Sequence, residues 1–81
     1  MKATRVYPNE ENQLLLRECE YGKGVDGTWM IRPPRCRMGT LAGHEVVEHA
    51  DGTITAIPSI LIDDGVTKWH GYLTRGIWSE C

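Results

Sequence analysis

The groups in this chain that could do chemistry are three histidines, three cysteines and a cluster of arginines. His70 and Cys81 come first. A hairpin turned at Arg75-Gly76 sets them opposite each other on adjacent strands. A thiol beside an imidazole can be deprotonated and act as a nucleophile, so the pair reads as a Cys–His dyad or as half of a metal site. The competing reading is a packed or hydrogen-bonded histidine. It is favoured, because no motif for an oxyanion hole accompanies the pair.

His44, His49, His70, Cys36 and Cys81 are the candidate metal ligands. His44 and His49 have four residues between them, which fits the spacing of a zinc-binding histidine pair. One strand through both would point them to opposite faces, so no metal or cofactor is expected.

Arg32-Pro33-Pro34-Arg35-Cys36-Arg37 places three arginines in six residues. Guanidinium groups on a proline-stiffened loop suit an anion or phosphate, as in a nucleotide or a nucleic acid, or an acidic protein patch. The plainer reading is a solvated loop. An extended backbone there sets Arg35 and Arg37 on one side and Cys36 on the other. Glu10, Glu11, Glu18 and Glu20 read as solvated carboxylates. Glu45 and Glu48 form an acidic edge that is the next binding candidate if the arginines are ordinary surface. No glycine pattern matches a phosphate-binding loop.

The elements that must position these groups are strands. Asp26-Gly27, Asp51-Gly52 and Asp64-Gly65 each precede a β-favouring run, and Asp-Gly between apolar stretches is a strong hairpin signal. A two-residue loop at Asp51-Gly52 predicts a hairpin over residues 44–57, with His49 facing Ile54, Val47 facing Ala56 and Glu45 facing Pro58. Ile54, Ala56, Pro58, Ile60 and Ile62 then share the core face. The same reading at Arg75-Gly76 pairs Leu73 with Trp78 and Tyr72 with Ser79, so Trp69, Gly71 and Leu73 face inward and Tyr72 outward. Val47, Ile54, Ile60, Ile62, Trp69, Leu73 and Trp78 are the expected core. Residues 14–19 read as a strand or as the end of a short helix capped at Asn9. Thr28 to Ile31 reads as a strand ended by Pro33-Pro34, and residues 32–42 as a loop. The expected fold is mainly β: one domain over residues 1–81, with five or six short strands in a small antiparallel sheet or open barrel and at most one short N-terminal helix.

Composition limits the function classes. Eighty-one residues leave no room for separate catalytic and binding domains. A net charge of −2 disfavours a general polyanion binder. Three scattered cysteines without a C-x-x-C read as free thiols in a reducing compartment, so a cytoplasmic location is expected. So short a chain, with no disulfide framework, gains from self-association, and a homodimer or higher assembly is expected.

Two stretches carry a resemblance: Asp51 to Ile62, D-G-T-I-T-A-I-P-S-I-L-I, and Trp69 to Trp78, W-H-G-Y-L-T-R-G-I-W. This resembles a group of small uncharacterised proteins of bacteriophages and prophages, whose C-terminal halves share a P-S-I strand, a W-H-G strand and a glycine turn. The resemblance implies a phage accessory protein acting in the host cytoplasm. No enzymatic activity is expected from the residues, and the phage setting points to a host protein complex as the partner, bound and inhibited as an anti-defence or anti-CRISPR protein would do. The alternative is an oligomer that sequesters a nucleotide with Arg32, Arg35 and Arg37. A small Cys/His hydrolase or zinc-binding protein comes third. Tyr72 joins the three arginines as a candidate contact residue, because alternation turns it to the outer face.

Overall fold

A computed structural model describes residues 1–63 and 65–81 and shows an all-β chain. The Asp64-Gly65 turn signal falls partly outside the described residues. The strands are β1 (Thr4–Arg5), β2 (Glu20–Lys23), β3 (Trp29–Arg32), β4 (Gly39–Thr40), β5 (Glu45–Glu48), β6 (Ile54–Ile57), β7 (Ile60–Asp63), β8 (Lys68–Thr74) and β9 (Ile77–Glu80). They form three small sheets, ordered β1-β2-β3-β4, β5-β6 and β7-β8-β9. The pairs are antiparallel except β1 with β2, which run parallel. The nine strands among the described residues outnumber the five or six expected, and two of them, β1 and β4, are only two residues long. β4 also interrupts the expected loop over 32–42.

The segment after Asn9 is neither the expected helix nor the expected strand. Asn9 does accept amide hydrogen bonds from Glu11 (2.9 Å) and Gln13 (3.0 Å), as a helix cap would. The chain reverses at once instead. Asn9 donates its own amide to Gln13 O (2.9 Å), and Asn12 sits at φ 62°, outside the right-handed helical region. Among the described residues there is no helix, hence none long and apolar enough to cross a membrane.

The Asp-Gly turns set the register, and they are one residue longer than expected. His49 accepts from the Gly52 amide (3.0 Å) and donates its own to Thr53 O (2.8 Å), closing the three-residue loop Ala50-Asp51-Gly52. Gly52 lies at φ 87°, where a side chain is disfavoured, and acts as a bulge. Val25-Asp26-Gly27 repeats the arrangement between Gly24 and Thr28. In each turn the Asp Oδ1 accepts the amide of the following threonine at 3.0 Å. The Thr53 hydroxyl and amide hold the Asp51 carboxyl below its usual range. The Thr28 amide and hydroxyl do the same for Asp26.

The extra loop residue shifts the hairpin by one. Glu48 faces Ile54, Val47 faces Thr55, Val46 faces Ala56 and Glu45 faces Ile57. This corrects the expected core. Val46 packs against the buried cluster, whereas Val47 is exposed. Ile54, Ile60, Trp69, Leu73 and Trp78 are buried as expected, Ile62 is half-buried, and Pro58 is exposed. The two-residue loop Arg75-Gly76 does form, with Leu73 facing Trp78 and Tyr72 facing Ser79.

The core centres on Trp69 and Trp78, packed edge to face with ring centroids 5.4 Å apart. Gly71 is needed between them: a Cβ there would strike Ser79 O and lie 2.7 Å from the Trp69 ring. The Trp78 indole donates to Cys19 O (3.0 Å), and its backbone pairs with Met1. Trp69 Nε1 is buried and has no hydrogen-bond partner among the described residues.

The corrected register yields a direct comparison. Val46→Ala should destabilise the chain by about 1–2 kcal/mol, and Val47→Ala should stay within about 0.5 kcal/mol of the parent. Chemical denaturation of the two variants checks this. The opposite ranking would restore the two-residue loop.

Candidate functional site

The arginine cluster is folded into the structure. Pro33 O accepts the Cys36 amide (3.1 Å), closing a turn with Pro34 and Arg35 in the middle and Arg35 at φ 65°. The loop is thus a turn rather than the extended segment expected, but Arg35 and Arg37 still face out and Cys36 is buried. Arg32 is half-buried. Its guanidinium donates to Cys36 O through Nε (2.8 Å) and to Leu16 O through Nη1 (3.0 Å). It holds two loops together. Arg35 donates its amide to the Glu18 carboxylate and, through Nη2, to both oxygens of Glu80 at 3.0 Å. The Glu80 carboxylate raises the Arg35 pKa above its usual value. Arg32 and Arg35, both predicted anion-gripping groups, are therefore already engaged within the chain.

The histidines and cysteines are spread rather than gathered. Cys81 does lie beside His70, as expected, with its amide donated to His70 O (2.8 Å). The His70 imidazole, however, pairs with Ser59 Oγ (3.1 Å), and no side-chain bond joins His70 to Cys81 among the described residues. His44 Nε2 meets Ser59 O (3.2 Å), and His49 Nε2 meets Thr55 Oγ1 (2.7 Å). Among the described residues no three histidine, cysteine or acidic side chains come together as a metal ion would require. Cys19 is half-buried with its Sγ 3.1 Å from Met1 Sδ. Burial, and then the nearby Glu18 charge, raise its pKa, so it resists forming a reactive thiolate.

Tyr72 does lie on an outer face. On β7-β8-β9 the inward residues are Ile60, Trp69, Gly71, Leu73 and Trp78. Leu61, His70, Tyr72 and Ile77 point the other way. Leu61, Tyr72 and Ile77 are 59%, 49% and 45% exposed, and strand register sets them on a diagonal across the three strands. Sequence reasoning found Tyr72 by alternation. It missed Leu61 and Ile77 as its companions, although the same alternation turns both outward.

A residue that sequence reasoning missed entirely is Arg5. Its guanidinium lies between two aromatic rings, 4.8 Å from the Tyr7 centroid and 5.0 Å from that of Trp29. Nη1 also donates to Glu48 Oε2 (2.6 Å) and to Gly52 O (2.9 Å). The bond from Arg5 holds the Glu48 carboxyl below its usual pKa range. No local signal marks this residue, because its partners lie 43 and 47 positions away.

Compared with protein-family models, with curated proteins and with solved structures, the chain gives no match. The reading of function therefore rests on the residues themselves.

The different environments of the two arginines predict different costs. Arg32→Ala should lose about 1.5–3 kcal/mol of stability, because two hydrogen bonds from a charged group to carbonyls disappear. Arg35→Ala should leave the melting temperature almost unchanged, since its ion pair with Glu80 is exposed to solvent. Equal thermal shifts would show that Arg32 is not the structural tie described.

Proposed function

We propose that this chain works by binding another protein and that its partner is a host protein complex, in keeping with its resemblance to small phage proteins. Anti-defence inhibition, of the anti-CRISPR kind, is the form of that activity we favour. The observation that carries the reading is the diagonal of Leu61, Tyr72 and Ile77 on the outer face of the C-terminal sheet. Grouped apolar side chains on a rigid sheet face are typical of a recognition surface. Tyrosine in particular adds contact area at little cost in side-chain entropy. The rival reading, a nucleotide-sequestering oligomer, draws on Arg32, Arg35 and Arg37. It is weakened because Arg32 and Arg35 spend their donors inside the chain.

Affinity capture with the intact chain tests this. The parent should retain one large host complex in stoichiometric amount. The double variant Leu61→Arg/Tyr72→Ala, both at exposed positions, should melt like the parent and lose that complex by more than about tenfold. Undiminished capture by the double variant would move the interface elsewhere. A nucleotide released in equal molar amount from the denatured parent would favour the sequestering alternative.

A further inference from the structure

The main chain of β5 has one edge paired and one edge open. His49 donates to Thr53 O across the hairpin, so the alternation of the ladder turns the N–H and C=O of Val47 and Glu45 toward β6. Those of Val46 and Glu48 therefore point the opposite way, and no backbone partner meets them among the described residues. Beside this edge lies an open groove of about 370 Å³, lined by Trp29, Leu41, Gly43, His44 and Val46. Leu41 is buried and Trp29 half-buried, which makes its surface partly apolar. His44 Nδ1 is shielded from solvent and has no hydrogen-bond partner among the described residues.

We propose that this edge receives an extended segment of the protein partner as an added antiparallel strand, with an apolar side chain seated in the groove and basic residues on either side of it. The proposal rests on the protein-binding reading above and adds a second contact to it. Val46 and Glu48 each offer one N–H and one C=O, a repeating pattern that an extended backbone can match. A residue opposite Val46 shares its face and points toward Trp29 and Leu41. The residues before and after it share the face of Glu45 and Val47. Glu45 is exposed and has no ion pair among the described residues, so a lysine or arginine beside it gains a charge partner. Glu48 is already held by Arg5. A second copy of this chain is the poorer occupant, because residues 43–50 hold no lysine or arginine to set beside Glu45.

The test uses the full chain, labelled with ¹⁵N, and the capped heptapeptide Thr-Val-Lys-Leu-Lys-Val-Thr, with its central leucine also replaced by isoleucine, tyrosine and tryptophan. Saturable shifts should centre on the Val46 and Glu48 amides and the Trp29 indole. Methylating the backbone nitrogen of the central residue should weaken binding by about tenfold or more, because that N–H faces β5. Methylating a lysine nitrogen, which faces away, should have little effect. Glu45→Lys, at an exposed position, should also weaken binding. Equal binding of both methylated peptides would overturn strand addition, as would the absence of shifts at Val46 and Glu48 across the whole peptide set. If that happens while capture still depends on Leu61 and Tyr72, this proposal fails and the protein-binding reading stands. Loss of capture with intact peptide binding would be the reverse.

Discussion

The contact on which the rest of the structure depends is the edge-to-face packing of Trp69 and Trp78 beside Gly71. Without phenylalanine, the chain relies on a few large rings for its core. Gly71 leaves the space in which the indoles meet, and a methyl group there would press on both the ring and the β9 backbone. Trp78 then reaches outside its own sheet. Its indole binds Cys19 O and its main chain binds Met1, which attaches the C-terminal hairpin to the first residues and to the loop before β2. The β8–β9 turn adds to this, with Gly76 donating to Ile54 O and accepting from Ala3. Three small sheets, none large enough to be stable alone, thereby share one buried cluster.

Arg5 ties the other side together. It sits between Tyr7 and Trp29 and binds Glu48 and Gly52, joining the N-terminal sheet to the β5–β6 hairpin. The cost of shielding a guanidinium, whose Nε is buried with no hydrogen-bond partner among the described residues, is offset in part by an ion pair, a carbonyl and two aromatic faces. Arg32 does similar work between the Leu16 and Cys36 loops. This use of arginine shapes the functional reading. Cations spent on internal carbonyls and carboxylates are poor instruments for gripping a phosphate. The recognition proposed above uses an apolar diagonal on one sheet face and a strand edge that meets no backbone partner among the described residues.

Part of the local structure is legible in the sequence, and the non-local contacts are not. The Arg75-Gly76 hairpin and the alternation from Trp69 to Leu73 follow from turn chemistry and the two-residue period, so the buried face of β8 and the outward Tyr72 were legible. The Asp51-Gly52 turn was legible as a turn but not in its length. The Asp51 carboxylate also binds the Thr53 amide, which favours a three-residue loop and exchanges Val47 for Val46 in the core. Asn9 carried a helix-cap signal that an immediate chain reversal overrode. Arg5, the parallel β1–β2 pair and the engagement of Arg35 with Glu80 depend on partners far along the chain, and no short-range pattern could announce them.

Amide hydrogen exchange of the unliganded chain examines the open edge of β5 residue by residue. If the ladder runs as described, the Glu45 and Val47 amides exchange slowly, because β6 holds them, and those of Val46 and Glu48 exchange fast. Slow exchange at Val46 and Glu48 with fast exchange at Val47, or equal protection along the strand, would contradict the register and the free edge that follows from it.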